Sequence, residues 1–312
     1  MSDIVVIGSF VADNVVTVKE FPKEGQTVLG DTFHVYLGGK GINQAVAARR
    51  AGCSVDMFGC IGNDSNGDAF LKLLEEEKIG LKGVKICSDI ATSVAQIQIN
   101  AAGENKIIVI PAANHAYDKK DLHDAESYLK KAKMVLIQME LPQSINFETI
   151  EMCADLGIPV LLNPAPACPI PNSILNKIDY LTPNESELEN LTGKKSSTLE
   201  SVEEAAQKLL DCGVKSVLVT LGKRGVYLST NSQKKLFKGH SVNAVDTVGA
   251  GDCFNGVFAS YLVRGKTIEE AIMAANAAAA LSVTKHGSTP SFPYEEQINK
   301  YIVKSSKFIE FF

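Results

Sequence analysis

In Thr247-Val248-Gly249-Ala250-Gly251-Asp252-Cys253-Phe254, two glycines flank an alanine directly before an aspartate and an apolar run. The stretch reads as a strand end, a Gly-Ala-Gly turn, and a helix from about Asp252 towards Arg264. Glycines at a helix start let backbone N–H groups converge on one point, which the positive end of the helix dipole also faces. Such a nest holds an anion, and a phosphate in transfer is the obvious candidate. Asp252, at its mouth, could take the proton of an attacking hydroxyl. The same residues also suit a plain turn with a capping aspartate. The segment alone leaves both readings open.

More polar clusters follow short apolar runs, where open α/β sheets bind ligands. Asp13 comes after Ile4-Val5-Val6-Ile7, and Glu140 after Leu136-Ile137-Gln138-Met139. Gly38-Gly39-Lys40-Gly41-Ile42-Asn43 leads into a helical pattern, with glycines that permit close backbone approach and Asn43 in the first turn. Asn163 opens Asn-Pro-Ala-Pro-Ala, Asn184 and Glu187 lie in Thr-Pro-Asn-Glu-Ser-Glu, and Thr220, Gly222 and Gly225 close another run. Each cluster by itself is as good a turn, cap or surface charge as a ligand contact. Neither phosphate motif of the common kinds is present. Lys40 lacks the following Ser or Thr of a P-loop, and Phe254 stands where a dinucleotide fingerprint needs its third glycine.

The elements that must position these residues alternate. Helical periodicity runs over 42–51 and 68–77, and short buried strands are expected at 4–7, 134–138, 159–163, 180–182 and 217–220. That order predicts an α/β fold, a doubly wound, mostly parallel sheet with helices on both faces. Two insertions have another texture. Residues 27–36 and 94–100 alternate apolar with polar, and the latter, with 107–110, reads as a hairpin. The expected division is a body of 1–14, 38–93 and 111–312, with a small β lid of 15–37 and 94–110.

Composition excludes other classes. An apolar fraction of 45% supports a real core, and a formal net charge of -5 offers no basic field for nucleic acid. Seven cysteines without a C-x-x-C pair suggest neither a zinc site nor a disulfide frame, and fit a reducing cytoplasm. No stretch has the length or apolarity of a signal peptide or a membrane span.

Taken as an ordered set, the motifs at 38–45, 163–167, 182–185 and 246–252 resemble the ribokinase-like (PfkB) carbohydrate kinases, from Ile4 to about Pro293. The resemblance implies the ribokinase-like fold and transfer of the γ-phosphate of ATP to the 5-hydroxyl of a pentose. D-ribose is expected first, with 2-deoxy-D-ribose or another sugar or nucleoside as the alternative. It makes Asp252 the general base and Gly249, Ala250 and Gly251 the anion hole. Asp13, Gly39, Lys40, Asn43 and Glu140 match sugar contacts, and Asn184, Thr220, Gly222, Gly225, Gly251 and Asn276 match nucleotide contacts. Glu187 matches a position that holds Mg2+ through water. Asp246, Val248, Val283, Gly287 and Ser291 match a loop for an activating monovalent cation, K+. The resemblance also implies a homodimer clasped through the lids. One position departs: many members carry Asn where this chain has Val11, which suits a sugar lacking one hydroxyl. A carboxylate near positive dipole ends is expected to stay ionised. A non-catalytic sugar sensor is the reading from a different class, and it would not need Asp252.

Overall fold

Ile4–Ile7 forms strand β1, and all four side chains are buried. Alternation along the strand sends Ile4 and Val6 into one apolar cluster and Val5 and Ile7 into another. A strand made only of β-branched residues suits a sheet covered on both faces. In the computed structural model, which describes residues 2–309, β1 lies inside such a sheet.

The chain continues through β2 (Val11–Thr17), β3 (Thr32–Gly38), α1 (Lys40–Arg50), β4 (Val55–Gly62), α2 (Ser65–Glu76), β5 (Gly80–Cys87), β6 (Val94–Ile99) and β7 (Asn105–Ile110). Then follow α3 (Lys119–Leu129), β8 (Met134–Ile137), α4 (Gln143–Asp155), β9 (Val160–Leu162), α5 (Asn172–Leu175), β10 (Tyr180–Leu181), α6 (Glu185–Thr192) and α7 (Leu199–Asp211). The last part holds β11 (Ser216–Thr220), β12 (Gly225–Thr230), β13 (Lys234–Lys238), α8 (Ala250–Val263), α9 (Ile268–Ser282) and α10 (Glu295–Ile309). Nine strands make one sheet in the order β13-β12-β11-β10-β9-β8-β1-β4-β5, parallel except at β11-β12 and β12-β13. One face packs on α1, α2, α8 and α9, and the opposite face on α3 to α7.

Helices α1 and α8 touch closely, and a glycine makes that possible. A Cβ on Gly256 would stand 2.4 Å from the Gln44 carbonyl oxygen and 2.6 Å from the Ala47 methyl carbon. The contact brings the first turn of α8 against the first turns of α1, where Lys40, Asn43 and Gln44 lie.

The second sheet has four strands in the order β3-β2-β6-β7. It begins at Val11, inside the segment 1–14 expected to belong to the body. The expected strand over 27–36 is shifted to Thr32–Gly38. Its register explains the shift, because Thr32 faces Thr17 at the end of β2 and Gly38 faces Val11 at its start. The strand end expected before Gly249 is not formed either. Residues 244–247 are irregular, with the N–H groups of Val245 and Asp246 both donating to the Val283 carbonyl. Among the described residues, no helix is long and apolar enough to cross a membrane.

Candidate active site

The first turn of α8 is built by its glycines. Gly249 caps the helix at a φ of 76°, a left-handed conformation that favours glycine, and a Cβ there would stand 2.8 Å from that of Ser288. Gly251 faces open space, with nothing within 4 Å of where a Cβ would stand, so its bare side borders a cavity. Ala250 N–H donates to Thr247 and Cys253 N–H to Gly249. Among the described residues, none accepts from the N–H groups of Gly251 and Asp252, which are two of the orphan donors every helix start carries. They form the anion nest.

Asp252 makes no capping bond. It is 6% exposed, and its two carboxylate oxygens accept from α1 instead: Oδ2 from Asn43 Nδ2 at 3.0 Å, Oδ1 from Gln44 Nε2 at 3.0 Å. Burial pushes its pKa up, opposed by the Lys40 charge and by these two bonds. The expected ionised form is thus opposed by desolvation and supported by Lys40 and the two amide donors.

Around Asp252 stand more charges than a structural role explains. Asp13 on β2 has its pKa raised to about 7 by burial and by the neighbouring Glu140 and Asp252 carboxylates. Glu140 follows β8 and accepts from the Lys40 backbone N–H at 2.8 Å and from the Ser9 hydroxyl. Burial works against the Lys40 ammonium, yet Asp252, Glu140, Glu187 and Asp13 together outweigh it and hold its pKa high. Gly39, at a φ of 99°, runs so close to the backbone that a Cβ would meet the Val11 nitrogen at 2.7 Å. Val11 itself is buried at the start of β2.

On the other side of the nest lies a cavity of about 800 Å³, bordered by Asn184, Thr220, Gly222, Gly225, Gly251 and Asn276. Its wall also holds Val226, Phe254, Ala280 and Val283, an apolar surface suited to a flat ring. A smaller cavity of about 170 Å³ is lined by Lys40, Asp252, Glu187, Asn163 and Asn255. The two share Asn184, Thr220, Thr247, Ala250 and Gly251, so the nest and the aspartate stand where they meet. A base, an anion nest and a roomy apolar cavity in series are the parts of a phosphoryl-transfer site. Residues 1–295 match the model of the pfkB family carbohydrate kinases. The chain belongs to that family.

The relatives agree over nearly full length. A ribokinase of Haemophilus influenzae is 37% identical over 301 residues, covering 95% of this chain and 97% of its own. A deoxyribokinase of Salmonella typhi is 38% identical over 301 residues, covering 96% and 98%. Among solved structures, Arabidopsis thaliana ribokinase complexed with ribose and ATP matches with a TM-score of 0.93 at 34% identity, covering 96% of this chain and 98% of that one.

For a carbohydrate kinase, the surroundings of the metal positions matter. Among the described residues, no group of three or more His, Cys, Asp and Glu is placed to hold a metal ion. Magnesium that keeps its waters and rides on phosphate oxygens needs no such cage. Glu187 borders the small cavity, though both its oxygens accept from Asn184, one from N–H and one from Nδ2, each at 2.8 Å. In the loop with Asp246, the carboxylate accepts from Val248 N–H at 3.0 Å and Gly287 N–H at 2.9 Å. The Val283 carbonyl and the Ser291 hydroxyl are likewise engaged within the protein. The carbonyls of Asp246, Val248 and Gly287 accept no hydrogen bond among the described residues, and with Val248 57% exposed they are open to solvent.

Three buried amides were not among the expected site residues: Gln44, Gln138 and Asn255. Gln44 directly follows Asn43 in the glycine-rich motif, which is the only sequence signal for it. Asn255 sits one helical turn after Asp252, a spacing that puts both on one face.

Proposed function

We propose that this carbohydrate kinase transfers the γ-phosphoryl group of ATP to the 5-hydroxyl of D-ribose, giving ribose 5-phosphate and ADP. The observation that carries the reading is Asp252, at the mouth of a two-donor nest where a polar cavity meets an apolar one. The sugar lies on the side of Asp13, Gly39, Lys40, Asn43 and Glu140. ATP fills the larger cavity, its base end towards Asn276, whose Nδ2 donates to the Lys238 carbonyl at 2.8 Å. Asp252 takes the hydroxyl proton as the oxygen attacks, and the free N–H groups of Gly251 and Asp252 meet charge on the transferring group.

Mg2+, held through water near Glu187 and on the phosphates, would neutralise phosphate charge. K+ in the loop of Asp246, Val248, Val283, Gly287 and Ser291 would order the turn that carries the nest. The seven thiols are all free, which supports a cytoplasmic setting. The small sheet is read as the lid over the sugar and the clasp of a homodimer.

The second reading is 2-deoxy-D-ribose as the acceptor. Val11 offers no hydrogen bond to a hydroxyl, and the Salmonella typhi deoxyribokinase is as similar as the ribokinases. A coupled ADP-release assay decides between them. D-ribose is expected to give the highest kcat/KM of the pentoses, and a clear preference for 2-deoxy-D-ribose would overturn the assignment. No turnover with any sugar or nucleoside would leave the sensor reading.

A further inference from the structure

The Asp252 carboxylate is held from inside the protein by a chain of amides whose direction is set at a backbone carbonyl. Thr182, just past β10, presents a carbonyl that can only accept, and Asn163 Nδ2 donates to it at 3.2 Å. Asn163 must then turn Oδ1 towards Gln44. Gln44 Nε2 donates to that oxygen at 3.2 Å and to Asp252 Oδ1 at 3.0 Å, so both its amide hydrogens are engaged. Gln44 Oε1 faces Gln138, just past β8, and accepts from its Nε2 at 2.7 Å. Flipping the Gln44 amide would set its oxygen against two acceptors and its NH2 against a donor. Gln44 and Gln138 are buried, at 0% and 1% exposure, so a partner lost between them is costly, while Asn163 borders the small cavity.

We infer that Gln44, oriented by Asn163 and Gln138, is a positioning residue that aims the Asp252 carboxylate and keeps it in its proton-accepting form. A donor with no freedom to reverse favours the ionised carboxylate over the protonated one. That preference matters at a site whose other features resist ionisation. Burial disfavours the charge, and the Glu140, Asp13 and Glu187 carboxylates stand around it, with Lys40 as the opposing cation. The inference rests on the reading of Asp252 as the general base. It assigns the specific work of keeping that base ionised to a residue that need not touch sugar or nucleotide.

The test is the pH profile of kcat at saturating sugar and ATP for wild type, Gln44→Met and Gln138→Met. Methionine keeps the length and bulk of glutamine but donates nothing. In Gln44→Met, kcat at neutral pH should fall about 10- to 100-fold, the worth of one bond to a charged group. KM for the sugar should change less than about threefold, and the acidic limb should move up by about one to two pH units. Gln138→Met should move the limb the same way by less, since it frees Gln44 to turn without removing it. ADP-induced thermal stabilisation, retained in both variants, shows that the fold and the larger cavity persist. A lowered kcat with the acidic limb unmoved would reduce Gln44 to packing and overturn the inference. Should Gln44→Met fail to fold, the limb of Gln138→Met decides. Asp252→Asn separates the two ideas. If that variant turns over normally, the base assignment itself has failed. If it is inactive while the Gln44→Met limb stays put, only the role given to Gln44 has failed.

Discussion

Strand β1 is a run of four β-branched residues and β7 ends in another, Ile107–Ile110, and the protein uses them in opposite ways. Every side chain of β1 is buried between two layers of helices, whereas every residue of β7 is exposed, Ile108 at 66%. The large sheet has both faces covered by helices of the same chain. The small one ends in β3 and β7 with open edges, and Phe33 is 61% exposed beside them. Apolar residues that stay in water on an unpaired edge strand are a liability unless something covers them. The active site joins the two regimes. Asp252, the nest and the larger cavity belong to the α/β body, while Asp13 and Val11 come from the first strand of the small sheet. The proposed base thus stands on the covered sheet's side, and the open sheet supplies two residues of the proposed sugar side.

The largest expected effect lies on the body side. Asp252→Asn keeps the shape of the side chain and removes the base, so kcat should fall about a hundred- to ten-thousand-fold, with sugar affinity much less altered. Steady-state kinetics and sugar titration measure both. Turnover within a few-fold of wild type would show that another group accepts the proton.

The next effect contrasts the two apolar regimes directly. Phe258 on α8 is fully buried and stacks on Phe254 with ring centroids 5.9 Å apart, and Phe254 lines the nucleotide cavity. Phe258→Ala should lower unfolding free energy by about 3–5 kcal/mol in urea, and Ile108→Ala by less than about 0.5 kcal/mol in the monomer. Equal losses at the two positions would show that the small sheet carries core weight after all.

That contrast also marks what the sequence could show. Unbroken apolar runs such as Ile4–Ile7 and Met134–Ile137 identify doubly covered strands because nothing polar interrupts them. The hairpin of β6 and β7 was legible from the alternation over 94–100 and the apolar run 107–110. By contrast, β4, β5 and β13 were not individually visible, since Asp56, Lys85 and Lys234 interrupt their apolar pattern. In the site, motifs near glycines located Asp252, Lys40 and the cavity walls. The raised pKa of Asp252 was not legible, because burial depends on how closely α1 and α8 approach at Gly256. Gln44 and Gln138 were missed for a similar reason. Gln44 is one more polar residue on α1 and Gln138 one more just past β8, and only the fold brings the two amides together.

A smaller effect comes from the charge where the two sheets meet. Asp13 has a folded pKa of about 7 against an ordinary aspartate value of 3.8, because burial and its carboxylate neighbours oppose ionisation. The folded state therefore keeps a proton that the unfolded chain has already lost in this window. Unfolding releases it, so this contribution to stability is full below about pH 4 and is lost as pH rises towards 7. Asp13→Asn cannot ionise and should flatten that decline, making the sugar-free protein more stable than wild type at pH 8 by on the order of 1–3 kcal/mol. Denaturant midpoints at pH 5 and pH 8 check the sign. A variant that loses stability equally at both would mean the site relieves its charge by another route.

The smallest effect on the fold should come from the open sheet, with the clearest effect on assembly. Phe33 lies on β3, paired with Val16 of β2, and its ring projects into solvent. A charge there disturbs nothing within the chain, so Phe33→Glu should change unfolding free energy by less than about 0.5 kcal/mol. If two lids cover each other, the same change places a carboxylate in an apolar contact, where an unpaired charge is costly. Apparent mass in sedimentation should then fall towards that of the 33.5 kDa monomer. Sugar affinity should weaken alongside, because β2, which carries Asp13, is bonded edge to edge with β3. ATP binding, confined to the body, should hold. A mass that is the same before and after the substitution, at every concentration, would remove the dimer and leave the lid to act within one chain.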